Sequence, residues 1–334
     1  MSKTLDIAVI GATGTVGETL VQLLEEREFP LGSLHLLAGG DSAGQSVPFR
    51  GKNLRVRELD GFDFSQVRLA FFAAGEEVSR QYAAKAQAAG CSVIDLSGTL
   101  EQALPVVPEA NAEALAGASA PYLLSSPAPA ATALAAVLAP LRDRPGLRKI
   151  TLNAVLAVST LGRAGVSELA RQTTELLNMR PLEPQLFDRQ VAFNLLARVG
   201  ESGEGGHARL ERRMADELKR VLGVSGLKVA VTCCVAPVFF GDSLAVSLET
   251  AEAVDIKEVA ALLGRQAGIE LVEEGDYPTV VGDAVGQDEL YVGRLRAGLD
   301  DPAELNLWIA SDNVRKGSAL NAVQIGELLI KHYL

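Results

Sequence analysis

The first apolar run, residues 7–10, stops at the glycine-rich stretch GATGTVG, and beyond it Leu20, Val21, Leu23 and Leu24 fall on one side of a helical repeat. Short apolar runs mark buried strands and a period of 3.6 marks an amphipathic helix, so the pattern predicts strand, tight turn, helix. The alternation continues. Residues 34–38, 69–73 and 92–96 read as strands, residues 76–89 as a helix, and residues 122–124 as the last strand of the series. Strands alternating with helices predict a parallel sheet with crossover helices on its faces. At LLSSPAPAATAL, residues 123–134, that strand ends, the chain bends, and a helix of small residues begins.

After about residue 140 the texture changes. KITLNAVLAVS, LKVAVTCCVAPVFF and SLAVSLET read as longer extended strands, the last with the alternation of a half-buried strand. Helices are predicted over residues 168–179, 210–222 and 256–266. LNLWIASD is a further strand leading into a helix over residues 319–332, with Leu320, Val323, Leu328 and Leu329 on its apolar side. The second region is therefore an α+β domain with a mixed or antiparallel sheet.

Composition narrows the function. A chain of 334 residues with 48% hydrophobic residues suits two domains with sizeable cores, and the formal net charge of -11 argues against nucleic acid and against an anionic membrane surface. Residues 122–141 carry no charge, but their serines and prolines fit a buried strand and helix better than a membrane span. No basic region precedes an apolar core and cleavage site, so no signal peptide is expected. The three cysteines, Cys91, Cys233 and Cys234, suggest no disulfide framework, which points to a reducing cytoplasm. None of the three histidines stands at zinc-finger spacing from a cysteine, so no metal is expected. The candidate chemistry is at the N-terminus. Glycines at the turn allow close backbone approach, and the free N–H groups of the following helix suit a diphosphate. Gly11, Thr13, Gly14, Thr15, Val16 and Gly17 are the candidate cofactor contacts, in a GxxGxxG spacing rather than the commoner GxGxxG.

GATGTVG, SAG at residues 42–44, VPEAN at 107–111 and SDNVRKGSALNAVQIGE at 311–327 together resemble the aspartate-semialdehyde dehydrogenases, and within them the Usg-type branch. The resemblance spans essentially the whole chain. It implies a Rossmann-type dinucleotide-binding domain of residues 1–128 and 319–334, an inserted α+β dimerisation domain of residues 129–318, and a homodimer. A mixed dimer with an active paralogue is a partner the resemblance suggests and no residue here specifies. It also implies a chemistry: a thiolate attacks the aldehyde, a histidine manages the proton, a nicotinamide exchanges hydride and phosphate resolves the acyl intermediate.

Carried across position by position, most of that machinery is replaced. The Asn-Pro-x-Cys nucleophile motif reads SPAP, which places Pro129 where the thiol would stand. Proline suits the first turn of a helix, and the neighbouring Ser125 and Ser126 read as bend and cap rather than as nucleophiles. The family's histidine corresponds to Asp242, expected to be ionised with an ordinary pKa near ~4 and so a weak base. Val235 replaces a substrate-carboxylate arginine, Ser159 a glutamine, Arg163 the first glycine of a turn, and Glu101 a phosphate-binding arginine. Glu211 and Arg213 retain the family's substrate-ammonium and phosphate roles. Asp41, beside Ser42, stands where the family places an arginine for the NADP 2′-phosphate. An acid there suits a free ribose hydroxyl, so NAD is expected over NADP. Unit charges about 6 Å apart interact by about 3 kcal/mol at an effective dielectric of about 20, so Asp41, Glu101 and Asp242 together disfavour anion binding.

Three functions remain in competition: a dimeric relative without semialdehyde dehydrogenase activity and with a binding or regulatory role; an active NAD-linked oxidoreductase acting directly on another aldehyde or oxo substrate in amino-acid metabolism, with Asp242, Ser159 and Arg163 as its polar groups; and an ordinary semialdehyde dehydrogenase using an unrecognised thiol.

Overall fold

The N-terminal strand β1 (Leu5–Ile10) is apolar along nearly its whole length because both of its faces are covered. Ile7 and Val9 pack in one layer with Leu20, Leu24, Phe71 and Val323, while Ala8 and Ile10 pack in the other with Phe72, Tyr82 and Val93. That is the situation of a strand inside a doubly covered parallel sheet. The computed structural model describes residues 4–334. The chain divides into two units, one ending at Pro127 and resuming at Ser318–Leu334, the other Ala128–Gly317.

In the first unit β1 passes through the glycine turn into α1 (Thr15–Glu26) and returns as β2 (Leu31–Ala38). A small antiparallel hairpin, β3 (Ser46–Phe49) and β4 (Lys52–Arg55), follows, with β5 (Arg57–Glu58) at the sheet edge. The chain continues through β6 (Leu69–Phe72), α2 (Glu76–Ala88), β7 (Ser92–Asp95), β8 (Leu104–Pro105), α3 (Pro108–Asn111) and β9 (Leu123–Ser125). The sheet has seven strands in the order β5-β2-β1-β6-β7-β9-β8, and every pair is parallel. The C-terminal helix Asn321–His332 completes this unit, and its Gly326 comes so close to Phe71 and Phe29 that a Cβ would lie 3.0 and 3.1 Å from their rings.

The second unit begins with α4 (Pro129–Leu138), whose ten residues are almost wholly buried. Strand β10 (Leu147–Leu156), α5 (Gly162–Leu177), α6 (Arg209–Leu222), β11 (Lys228–Val235), β12 (Asp242–Thr250), α7 (Ile256–Leu263), β13 (Ile269–Leu271), β14 (Leu290–Ala297) and β15 (Glu304–Ser311) follow. They build a six-stranded mixed sheet, β11-β10-β12-β15-β14-β13, parallel at both ends and antiparallel in the middle. Alternation sends Ile150, Leu152, Leu244, Val246, Leu305 and Leu307 to the buried face. Strand β11 stops at Val235, short of the run expected to continue to Phe240, because Pro237 has no N–H to offer the ladder.

Candidate functional site

The N-terminal turn has the geometry its sequence predicts. Gly11 has φ of 82°, and a Cβ there would lie 2.6 Å from the Ala73 carbonyl oxygen. A Cβ on Gly17 would lie 2.0 Å from the Gly11 carbonyl oxygen, so only glycine lets α1 sit this close to the turn. The first bond of α1 runs from Glu18 N–H to the Gly14 carbonyl, and the N–H groups of Thr15, Val16 and Gly17 precede the helical ladder. In front of them is a cavity of about 310 Å³, lined among others by Gly11, Thr13, Gly14, Gly39, Ser42 and Gly75. These residues fit the diphosphate part of a dinucleotide. Asp41 is exposed on the short turn Gly40–Ser42 beside the cavity. A second carboxylate, Glu58, lies near the same turn, with Oε1 3.6 Å from where a Gly40 Cβ would stand; no motif in the sequence points to it.

In the second unit Pro129 is the first residue of α4, as expected, but the two serines do not cap it. The N-cap is Ala128, and its N–H donates to Glu217 Oε2 at 2.8 Å. Ser126 Oγ instead accepts from Asn321 Nδ2 inside the first unit. The Pro129 ring packs on Gly317, where an added Cβ would lie 2.7 Å from the Pro129 Cβ. The helix start thus carries a pyrrolidine ring against backbone, with no ionisable atom.

Asp242 departs most from expectation. It opens β12, is 1% exposed, and its Oδ1 accepts from Ala157 N–H at 3.1 Å. Burial pushes its carboxyl up to about 7; the Ala157 N–H opposes that shift and the Asp312 charge adds to it. The expected ordinary, ionised carboxylate is therefore corrected: loss of hydration, not loss of a partner, brings this acid close to neutrality. Asp312 itself accepts three backbone N–H bonds, from Val314 and Arg315 at Oδ1 and from Gly286 at Oδ2. Next to it, Asn313 accepts from Gly241 N–H at 2.9 Å and donates to Ser159 Oγ at 3.0 Å, which fixes the turn leading into Asp242. Asp312 and Asn313 belong to the SDNVRKGSALNA run that carried the family resemblance, and that run was the available signal for them.

The other carried-over positions separate. Val235 ends β11 as a buried apolar residue, hydrogen-bonded through its backbone to Leu196. Arg163 is exposed on the first turn of α5. The Glu211 carboxylate is engaged by backbone: Oε2 accepts from Ala208 N–H at 2.8 Å and Oε1 from Cys233 N–H at 2.9 Å. It ties the start of α6 to β11. Arg213 Nε donates to Glu217 Oε1 at 2.7 Å, and the same carboxylate holds the α4 N-terminus. Burial pushes Cys91 and Cys233 each up to about 12 and also raises Cys234, so each stays protonated at neutral pH. Among the described residues no group of three or more His, Cys, Asp or Glu could hold a metal ion, and no helix is long and apolar enough to cross a membrane.

Comparison with known proteins covers both units. Residues 6–118 match the family described as "Semialdehyde dehydrogenase, NAD binding domain", and residues 138–316 match "Semialdehyde dehydrogenase, dimerisation domain". A Pseudomonas aeruginosa protein described as "USG-1 protein homolog" is 61% identical over 336 residues, covering 100% of each chain. Aspartate-semialdehyde dehydrogenase 2 of Vibrio cholerae is 40% identical, also over 100% of each chain. A crystal structure of aspartate semialdehyde dehydrogenase II from Vibrio cholerae, described as complexed with ASA, superposes with a TM-score of 0.96 at 39% identity and covers 100% of both chains.

Proposed function

This chain belongs to the aspartate-semialdehyde dehydrogenase family, and from that premise we propose that it is a homodimeric, NAD-binding member without semialdehyde dehydrogenase activity, serving a binding or regulatory role. The single observation that carries the reading is Pro129. The family's covalent route needs an atom that can attack a carbonyl and leave again. Pro129 supplies none, and the protein's thiols are held protonated by burial.

Dinucleotide binding rests on the glycine turn and the free N–H groups of α1. Asp41 and Glu58 near its outer end favour NAD over NADP by repelling a 2′-phosphate. Dimerisation rests on the family domain at residues 138–316 and on the apolar side chains that unit leaves exposed, among them Leu177, Met179, Phe193 and Leu195. The test is a phosphate-dependent assay on aspartate semialdehyde with NAD and with NADP, using the wild type and a variant with all three cysteines changed to Ser. The expected result is no turnover by either. Turnover lost in the cysteine variant would restore the thiol mechanism and overturn the reading.

Asp242 favours a second reading, an oxidoreductase that converts a carbonyl to an alcohol without covalent capture. Bound dinucleotide would supply the hydride; Asp242 would hold the matching proton for the oxygen. A carboxyl near 7 is suited to give and take a proton at neutral pH, which an ordinary aspartate is not. A screen of aldehydes and 2-oxo acids with NADH decides between the two. Turnover abolished by Asp242→Asn selects the second reading, and no turnover across the screen selects the first.

A further inference from the structure

We propose that the second unit carries a separate binding site for a small zwitterionic amphiphile, an α-amino acid with an apolar side chain, between α7 and the strand pair β13–β14. A cavity of about 500 Å³ opens there, within the roughly 300–1,000 Å³ typical of small-molecule sites. Ile256 and Ala260 of α7, Leu271 of β13 and Leu295 of β14 give it an apolar interior. Gly293 forms a flat wall: a Cβ there would lie 2.7 Å from Pro278 Cδ and 3.6 Å from Val272 Cβ, so no larger residue can intrude.

Its polar lining holds both signs of charge. Lys257 and Arg294 line the cavity, and so do Glu273 and Glu274. Among the described residues these four side chains form no ion pair with one another or with any other group. The strand is also bent at this point. The β14–β15 register shifts between Gly293 and Arg296, and Arg294 takes φ of 54°, a left-handed conformation uncommon for a residue with a Cβ. A bulge re-aims a side chain and recurs beside binding sites; here the residue it re-aims is the cavity's guanidinium.

The charges select the occupant. Lys257, Arg294, Glu273 and Glu274 are all exposed. A simple anion would gain from Lys257 and Arg294 but meet Glu273 and Glu274, a simple cation the reverse, and an uncharged apolar guest would gain from none of the four. A ligand carrying one carboxylate and one ammonium answers both pairs while its side chain fills the apolar interior. The carboxylate would take the guanidinium fork of Arg294 in a bidentate pair. Nothing in this site uses Pro129 or Asp242, so occupancy is independent of the chemistry proposed above.

The test is calorimetry on the full chain with L-leucine, and with 4-methylvalerate and isoamylamine as analogues that each lack one charge. Saturable binding of leucine is expected at one site per chain, with each analogue weaker by about tenfold or more. Arg294→Gly, which suits the left-handed backbone and removes the guanidinium, should weaken leucine binding by about tenfold, and Ala260→Phe, which fills the interior, should abolish it. Unchanged thermal unfolding shows that a variant is folded. No saturable binding of leucine at millimolar concentration, an analogue binding as tightly as leucine, or binding unaffected by both folded variants would each overturn the proposal.

Discussion

Replacing Asp242 by Asn should stabilise the protein at alkaline pH and have little effect in acid. The amide oxygen can still accept from Ala157 N–H, which the carboxylate accepts at 3.1 Å, so the change removes the charge and keeps the bond. In the native state the carboxyl ionises only near 7, raised from 3.8 chiefly by burial. In the unfolded chain it ionises near ~4. A group whose folded pKa is raised stabilises the fold fully below the unfolded value and loses that contribution as pH climbs through the folded one. At about 1.4 kcal/mol per pH unit, the native wild type should lose on the order of 4 kcal/mol across this window, about 3 of it between about pH 4.5 and about pH 8. Asn carries no such dependence. Thermal unfolding of wild type and Asp242→Asn across that range reads the difference: the gap in Tm between them should widen steadily in favour of Asn until just above pH 7, then stay constant. A gap independent of pH, or a variant less stable at pH 8, would show that Asp242 is not a buried carboxyl held near neutrality.

Other expectations follow from the same geometry. Gly17→Ala should cost about 2–3 kcal/mol of stability and abolish dinucleotide binding, because its Cβ would lie 2.0 Å from the Gly11 carbonyl oxygen; unfolding curves and NAD titration check both. Asp41→Ser should raise NADP affinity relative to NAD by about tenfold, read by calorimetry. Pro129→Cys should leave the phosphate-dependent assay without activity, since Asp242 stands in place of a histidine to activate the thiol; appreciable turnover would refute that assignment. Native protein at neutral pH should react with a thiol reagent slowly at Cys234 and far more slowly at Cys91 and Cys233, whose thiols burial raises to about 12, while unfolded protein reacts quickly at all three.

The parts of the fold legible in the sequence are those whose signal is local. The run ending at Ile10, the glycine turn and the apolar stripe of α1 sit within one window, and the structure places them as read. Strand β14 is not legible because LYVGRLRA mixes charges into an edge-proximal strand with a bulge. At the candidate site, Pro129 was legible as a helix start because its ring chemistry is its own. The state of Asp242 was not legible, since it depends on β12 being covered and on Asp312, 70 positions away in sequence. The contact of Glu217 with the Ala128 N–H joins residues 89 apart, and Ser125 and Ser126 do not cap α4 because Ser125 ends β9 and the Ser126 hydroxyl is engaged by Asn321, 195 positions away.

The central claim is that no side chain of this protein captures an acyl group. Intact-mass measurement of the protein after incubation with aspartate semialdehyde and oxidised dinucleotide, with phosphate withheld so that no acyl-enzyme can be resolved, tests it most directly. The account predicts a single species at the mass of the unmodified chain. A stoichiometric aspartyl adduct that localises to a cysteine would contradict it.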